Sequence, residues 1–434
     1  MDKNEHNSNM KDKFKFTKKD ILRAVAIALV LTTVFFAGFF THYFTLNKEL
    51  RSIEFLIDVY KKNYYNVSDK SIVHTIADGI LDDYSQYFTA EEYDAYKKEG
   101  MGQKKGYGIA ISGLDVTRVT GNSPAEACGI KAGGKIVGYK QQSAAEYITA
   151  SDNASLIAFL QADHDKVNLK IDYSGNIKEF TLSKAEYLEN CVFFSDKNGS
   201  FRFNGDKKGM NFTAYGGDGL TLDEGWGYIR FTSFNGLEDG TLGGAGQFIY
   251  ALQQSYSRGN RKLIIDLRSN GGGYMDILCK IASHLCDSKS SGSFVCQKAR
   301  YADGSIYNFN AEKSQYGEYK FEKIVFLANA NSASASEALM GAVLDYDKQS
   351  GNNIVRVVID PMTIGERTYE RTYGKGIMQS FFTNPLTGET VKLTNAEVLW
   401  PVSSTSIHGV GLTPALDNRV LLTVGDAVAF AQTL

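Results

Sequence analysis

Ile324-Val325-Phe326-Leu327-Ala328-Asn329-Ala330-Asn331-Ser332-Ala333-Ser334-Ala335-Ser336-Glu337-Ala338-Leu339 is the stretch on which the fold turns. Its apolar start reads as a short buried strand, and Leu339, Ala342, Val343 and Tyr346 then recur at helical spacing. Between them lies a run of small residues, the composition a chain needs to turn tightly. The same construction occurs upstream. Leu263, Ile264 and Ile265 lead into Asp266-Leu267-Arg268-Ser269-Asn270-Gly271-Gly272-Gly273, and Leu278, Ile281, Ala282 and Leu285 mark the helix that follows. Strands alternating with helices from about residue 188 to the end imply an α/β core. Each turn falls where a strand hands over to a helix N-terminus, whose unpaired N–H groups favour negative charge.

Outward from this core the periodicity changes twice. Residues 101–187 read as short apolar strands punctuated by Gly, with a helical stretch near Asn153 to Leu160. Residues 48–100 read as a helical arm: Ile53, Leu56, Ile57 and Tyr60 share a face, and Thr89 with Glu92 forms a capping box opening a helix that stops at Gly100. A packing role suits this arm better than a catalytic one. Lys11, Lys13, Lys15, Lys18, Lys19 and Arg23 precede an apolar run from Ala24 to Phe40 that, extended to Phe44, reaches the roughly 20 residues a bilayer core requires, an anchor at 21–44. Phe39, Phe40, His42, Tyr43 and Phe44 occupy the positions where a cleaved leader needs small residues, so the run reads as a retained anchor. The basic cluster holds residues 1–20 in the cytoplasm and places everything after Lys48 outside the membrane.

Of the 434 residues, 43% are hydrophobic and 22% charged, a globular balance that excludes a disordered chain. A formal net charge of −2 argues against a general nucleic-acid binder. The odd count of five cysteines contains no CxxC and no Cys/His ligand pair, so no metal site is expected. Cys279 and Cys286, one helix apart by about 10 Å, are too distant for a disulfide. All five cysteines are read as free buried thiols.

The turns limit the chemistry. A GGG turn before a helix could cradle phosphate, yet neither GK[ST] nor GxGxxG follows the pattern. Unhindered glycine N–H groups suit a developing oxyanion instead. A serine in the Ser/Ala run is as readily an N-cap as a nucleophile. A nucleophile needs a base, and among the six histidines only His408 has a loop setting. The other base is a desolvated lysine. Lys348, in DYDKQSGNN, reads as a solvated surface charge; Lys375 lies between two glycines ahead of an apolar run. By spacing alone, neither base is singled out.

SPAEACGIKAGGKIV at 123–137 closely resembles the helix-turn-strand signature of bacterial PDZ modules, and Gly106-Tyr107-Gly108-Ile109 resembles their carboxylate-binding loop. Such a loop holds a peptide C-terminus while a sheet edge accepts the peptide as an extra strand. With DLRSNGGG, NSASASEALMGAVLDY, ERTYGKGIMQ and the late SIHGVGLTP, the chain from about residue 50 onward resembles the carboxyl-terminal processing, or tail-specific, proteases. The resemblance implies a crotonase- or ClpP-like α/β protease core at 188–434 with an inserted, mostly β PDZ domain at 101–187. It implies Ser334 as nucleophile, Lys375 as general base and Gln379 as the residue that positions the lysine. The oxyanion hole would be the Ala335 N–H with a glycine N–H, Gly272 or Gly271. Asp345 matches an acidic position read as structural support. No cofactor or metal is implied. The implied partners are protein or peptide substrates with exposed C-termini and the membrane, and the helical arm offers a surface for pairing two copies. A chain with this fold but a dead site would be a PDZ adaptor; retention of Ser, Lys and Gln together argues against it. One departure stands out. The connection between Ser334 and Lys375 is longer than usual and carries a tandem ERTY at 366–373.

Overall fold

A computed structural model describes residues 17–45, 48–63, 72–164, 166–206, 209–214, 220–236 and 243–434. Residues 1–79 and 80–434 form two separate compact units. In the first, α1 (Lys18–Thr45) is one continuous helix whose Lys18–Thr41 segment is long and apolar enough to cross a membrane, with none of it buried in protein. Lys11, Lys13, Lys15 and His6 of the expected tail lie outside the described residues. Next come α2 (Lys48–Asn63) and α3 (Ile72–Ile80). Ile53 and Leu56, from the apolar stripe of α2, are exposed.

The second unit opens with the expected capping box. Thr89 Oγ1 accepts from Glu92 N, and the Glu92 carboxylate accepts from Thr89 N at 2.8 Å, starting α4 (Ala90–Gly100). The arm is not wholly helical, however. Gln86–Phe88 is a strand paired antiparallel with Thr390–Lys392. Three residues are too few for a periodicity signal, so only the distant partner makes this segment a strand.

Residues 103–188 build a β unit with its own core. Gln103–Gly106 pairs with Ala185–Leu188 at its base. Above them a sheet runs in the order 109–112, 115–119, 135–141, 167–173, 176–182, with 148–149 added to 135–141. The one-turn α5 (Pro124–Ala127) and α6 (Asn153–Gln161) accompany this sheet. Tyr107, Val116, Ile136, Leu156, Leu169 and Ile171 are buried together there. Cys128 corrects the reading of the cysteines as all buried. It sits exposed at the C-cap of α5, with its thiol directed to Thr181 O, while Cys191, Cys279, Cys286 and Cys296 are buried; all five are free.

The core is an eight-stranded mixed sheet ordered 209–214, 199–206, 192–196, 226–231, 262–266, 323–328, 355–359, 420–422; the last five strands run parallel. Leu263, Ile265, Ile324 and Phe326 pack on one face with α7 (Gly244–Ser257), α8 (Met275–Leu285) and α9 (Ala335–Ser350). Ile264, Val325 and Leu327 pack on the other face with α10 (Ala427–Thr433). Both faces are covered, which is why the parallel strands read as unbroken apolar runs. A second sheet, of 86–88, 390–399, 294–301 and 306–311, also carries 377–383, the strand after Lys375.

Candidate active site

The two strand-to-helix turns lie side by side because their parent strands, 262–266 and 323–328, are neighbours in register. Leu267 N donates to Leu327 O at 2.9 Å and Ala333 N to Asn270 O at 3.0 Å. Asn270 is fully buried and donates its amide to Phe231 O. Ser332 Oγ donates to Leu267 O and Ser336 Oγ to Asn270 O, both at 2.8 Å. Those two serines are thus committed to the turn. Ser334 is the serine of the three that lines the adjoining cleft. It is the N-cap of α9 at φ 57° and ψ −118°, a backbone conformation costing a non-glycine residue about 1–3 kcal/mol. The surrounding hydrogen bonds hold that strain and set the serine at the positive end of a helix.

Gly272 packs directly on this turn. A Cβ there would lie 2.7 Å from Ala335 N and 2.9 Å from Ser334 Cβ, so only glycine permits the approach. The Gly272 N–H, however, donates to Asn270 Oδ1 at 2.9 Å, an engagement that sequence spacing did not reveal. Gly271 and Gly273 line the same cleft beside Ala335.

Lys375 reaches the cleft from the loop before strand 377–383. Gly376 lets this loop lie against the chain at His408, where a Cβ would approach N to 2.7 Å. Burial, assisted by the charge of Lys392, pushes the Lys375 ammonium below its usual pKa, while Asp82 and Glu337 oppose the shift. Glu337, one turn into α9, is the residue the sequence left without a role. Its fully buried carboxylate accepts Ser334 N at 3.0 Å, Gly374 N at 2.8 Å, Lys375 N at 2.9 Å and the Thr372 hydroxyl. One carboxylate therefore ties the serine turn to the lysine loop. Burial pushes its pKa up, and these four donors pull it back. The Ser334-x-x-Glu337 spacing, that of a capping box, was the signal available.

Among the described residues no hydrogen bond joins Ser334 Oγ to Lys375 Nζ. The Lys375 ammonium instead stands 4.8 Å from the centroid of the Tyr84 ring. Gln379, at a bulge in its strand, donates to Thr394 Oγ1 at 3.2 Å. Thr394 Oγ1 in turn donates to Asp82 Oδ1 at 3.2 Å. Lys375 thus meets the 82–85 segment of the arm directly and Gln379 is linked to it through Thr394, contacts that the reading of the arm as mere packing missed. Asp345 accepts from Val402 N, Ser403 N and Ser403 Oγ, the supporting position expected of it. Lys348 is exposed, as is His408, whereas His284 is buried.

The cleft, about 910 Å³, is lined by Ser334, Lys375, Gln379 and Gly271–Gly273 together with Tyr96, Tyr307, Phe309, Val398, Trp400 and Ile407. The loop Gly106–Ile109 belongs to the β unit. Gly106 and Gly108 have φ +150° and +81°, Tyr107 is buried, and Ile109 begins an edge strand paired only with 115–119 among the described residues.

Residues 225–417 match the model of Peptidase family S41. A CtpA-like serine protease of Staphylococcus saprophyticus is 25% identical over 84% of this chain, and the match spans 65% of that relative's own length. One of Staphylococcus epidermidis is 25% identical over 85% of this chain and 66% of its own. In structure, an S41 protease of Bacteroides fragilis is 13% identical over 86% of this chain and 88% of that one, with a TM-score of 0.50, a likeness of fold. The photosystem II D1 C-terminal processing protease gives 20% identity and a TM-score of 0.48, covering 87% of this chain and 89% of that one. The chain is thus similar over residues 225–417 to peptidase family S41, a family of serine proteases, and over most of its length to CtpA-like serine proteases.

Proposed function

We propose that this chain is a membrane-anchored, extracytoplasmic serine endopeptidase that captures protein C-termini through a PDZ domain and cleaves by an acyl-enzyme route. The observation that carries the reading is the meeting, in one cleft, of a strained serine at a helix N-terminus, a glycine turn and a desolvated lysine. Neutral Lys375 takes the Ser334 proton as Oγ attacks the scissile carbonyl. The oxyanion forms against the Ala335 N–H and an N–H of the 271–273 turn. Because Asn270 engages Gly272 N, the neighbouring glycines are the better second donors. Lys375 then protonates the leaving amine, and water releases the acyl group with the lysine again acting as base. Gln379 would orient the lysine once it has left Thr394. Intact cells treated with a membrane-impermeant acylating peptide should label the full chain covalently, and the Ser334→Ala variant should remain unlabelled. Labelling only after lysis would reverse the topology; equal labelling of both proteins would remove Ser334.

The edge of strand 109–112, unpaired among the described residues and opening from the Gly106–Ile109 loop, supports strand addition of a C-terminal peptide with its carboxylate on the loop N–H groups. Strand addition of this kind gives modest affinity, so tethering matters most for long substrates at low concentration. We favour gating, in which a docked C-terminus also opens the site. Deleting residues 101–187 should then accelerate cleavage of a short peptide while abolishing cleavage of protein substrates. An unchanged short-peptide rate would leave tethering alone, and a slower one would make the β unit a structural part of the active site.

A further inference from the structure

Direct proton transfer in the Ser334/Lys375 reading needs the lysine nitrogen within about 2.6–3.2 Å of the serine hydroxyl, yet among the described residues no hydrogen bond joins the two, and Lys375 Nζ stands 4.8 Å from the centroid of the Tyr84 ring. Tyr84 is held in turn. Its hydroxyl is 3.2 Å from that of Tyr373, two residues before the lysine. Next to it Asp82 accepts from Thr394 Oγ1, the group that occupies Gln379, and Ser85 Oγ accepts from Thr394 N at 2.9 Å. Strand 86–88 pins the far end of the segment to 390–392. One short segment thus engages the lysine directly and the glutamine through Thr394, and neither arrangement serves catalysis. An aromatic face attracts the ammonium and not the neutral amine, so it favours the protonation state that cannot act as base.

We propose that Tyr84 is a positioning residue that holds Lys375 away from Ser334 in the resting protein, and that displacement of the 82–85 segment frees the lysine to reach the serine. The inference rests on the Ser334/Lys375 reading. The charged and titratable groups that act on the lysine are Lys392 on strand 390–399, Asp82 in the segment itself and Glu337 on α9, with Tyr84 beneath it and Tyr373 beside it. Lys392 stands with its own ammonium 5.5 Å from the Tyr96 ring. It therefore remains to repel a proton from Lys375 when Tyr84 is gone. Among these groups, the ring and the two carboxylates favour the charged lysine; only Lys392 opposes it.

The test is kcat/KM against pH for a short chromogenic peptide ester, using the full-length chain in detergent. Tyr84→Leu should raise the acylation rate roughly three- to thirty-fold, the span of a cation–π contact. It should also move the acid limb to lower pH and leave KM unchanged, a pattern that loosened packing would not give. Tyr84→Phe keeps the ring and should give less than a third of that gain. A Tyr84→Leu rate at or below wild type, with unchanged thermal stability, overturns the proposal, as does a Phe variant equal to Leu. If Tyr84→Leu proves unstable, Asp82→Asn decides, since it loosens the segment and leaves the ring in place; no rise in its acylation rate also overturns the proposal. Ser334→Ala separates the two levels: if it still turns over the ester, the Ser/Lys reading itself has failed.

Discussion

Lys375→Arg is expected to be as inactive as Lys375→Ala, each losing roughly 10³-fold in kcat/KM, within the range of a general base. The reasoning is one of proton affinity. A base must be unprotonated to take the serine proton, and burial pushes Lys375 below the usual lysine value. Activity should accordingly rise with pH through the lysine's lowered pKa, earlier than for an exposed lysine. Guanidinium keeps its proton at any accessible pH, so the Arg variant retains charge and size but not function. Appreciable turnover in the Arg variant, measured on a short peptide, would remove lysine from the mechanism and return attention to charge placement.

Glu337→Gln is expected to lower kcat by about 10²-fold with little change in KM, and Glu337→Ala should in addition destabilise the protein by about 3–5 kcal/mol. The carboxylate is surrounded by donors alone: three backbone N–H groups and the Thr372 hydroxyl. An amide of the same shape turns an NH₂ group toward some of these donors. It thereby loosens the serine turn and the lysine loop against each other, and small misplacements of catalytic groups are costly. Substrate contacts are left alone, hence the unchanged KM. Removal of the negative charge also removes one of the groups holding the lysine pKa up, so the acid limb of the Gln variant should move to lower pH. Thermal denaturation beside steady-state kinetics separates the two effects. A Gln variant with full kcat would show that the serine and the lysine keep their places without this shared anchor.

Much of the site could be read from the chain because its signals are local. The strands at 263–265 and 324–327 announced themselves by unbroken apolar runs, which exist because both sheet faces are covered. The capping box at Thr89 and Glu92 depends on residues three apart. Ser334, Lys375 and the glycine turn were legible as a family pattern, and the fold brings them into one cleft. What escaped were pairings across long separations. Glu337 taking up Gly374 N and Lys375 N requires knowledge of how the lysine loop closes on α9. Tyr84 beneath Lys375 joins residues nearly three hundred positions apart, and no periodicity records such a contact.

The tandem ERTY shows the division most clearly. Sequence alone determined that residues 366–369 and 370–373 are chemically identical, and that they lengthen the connection to the lysine. Tertiary structure alone decided that their fates differ. Thr368 lies in an exposed hairpin of 362–364 with 367–369, its hydroxyl beside that of Thr363. Thr372, four residues later, is buried, donates to Glu337 and accepts from Leu412 N. Arg371 donates to Gly409 O and Val410 O, whereas Arg367 covers the Tyr369 ring. The physical reason is that a side chain's role is set by the groups that desolvate and pair with it, and those are supplied here by distant strands and loops.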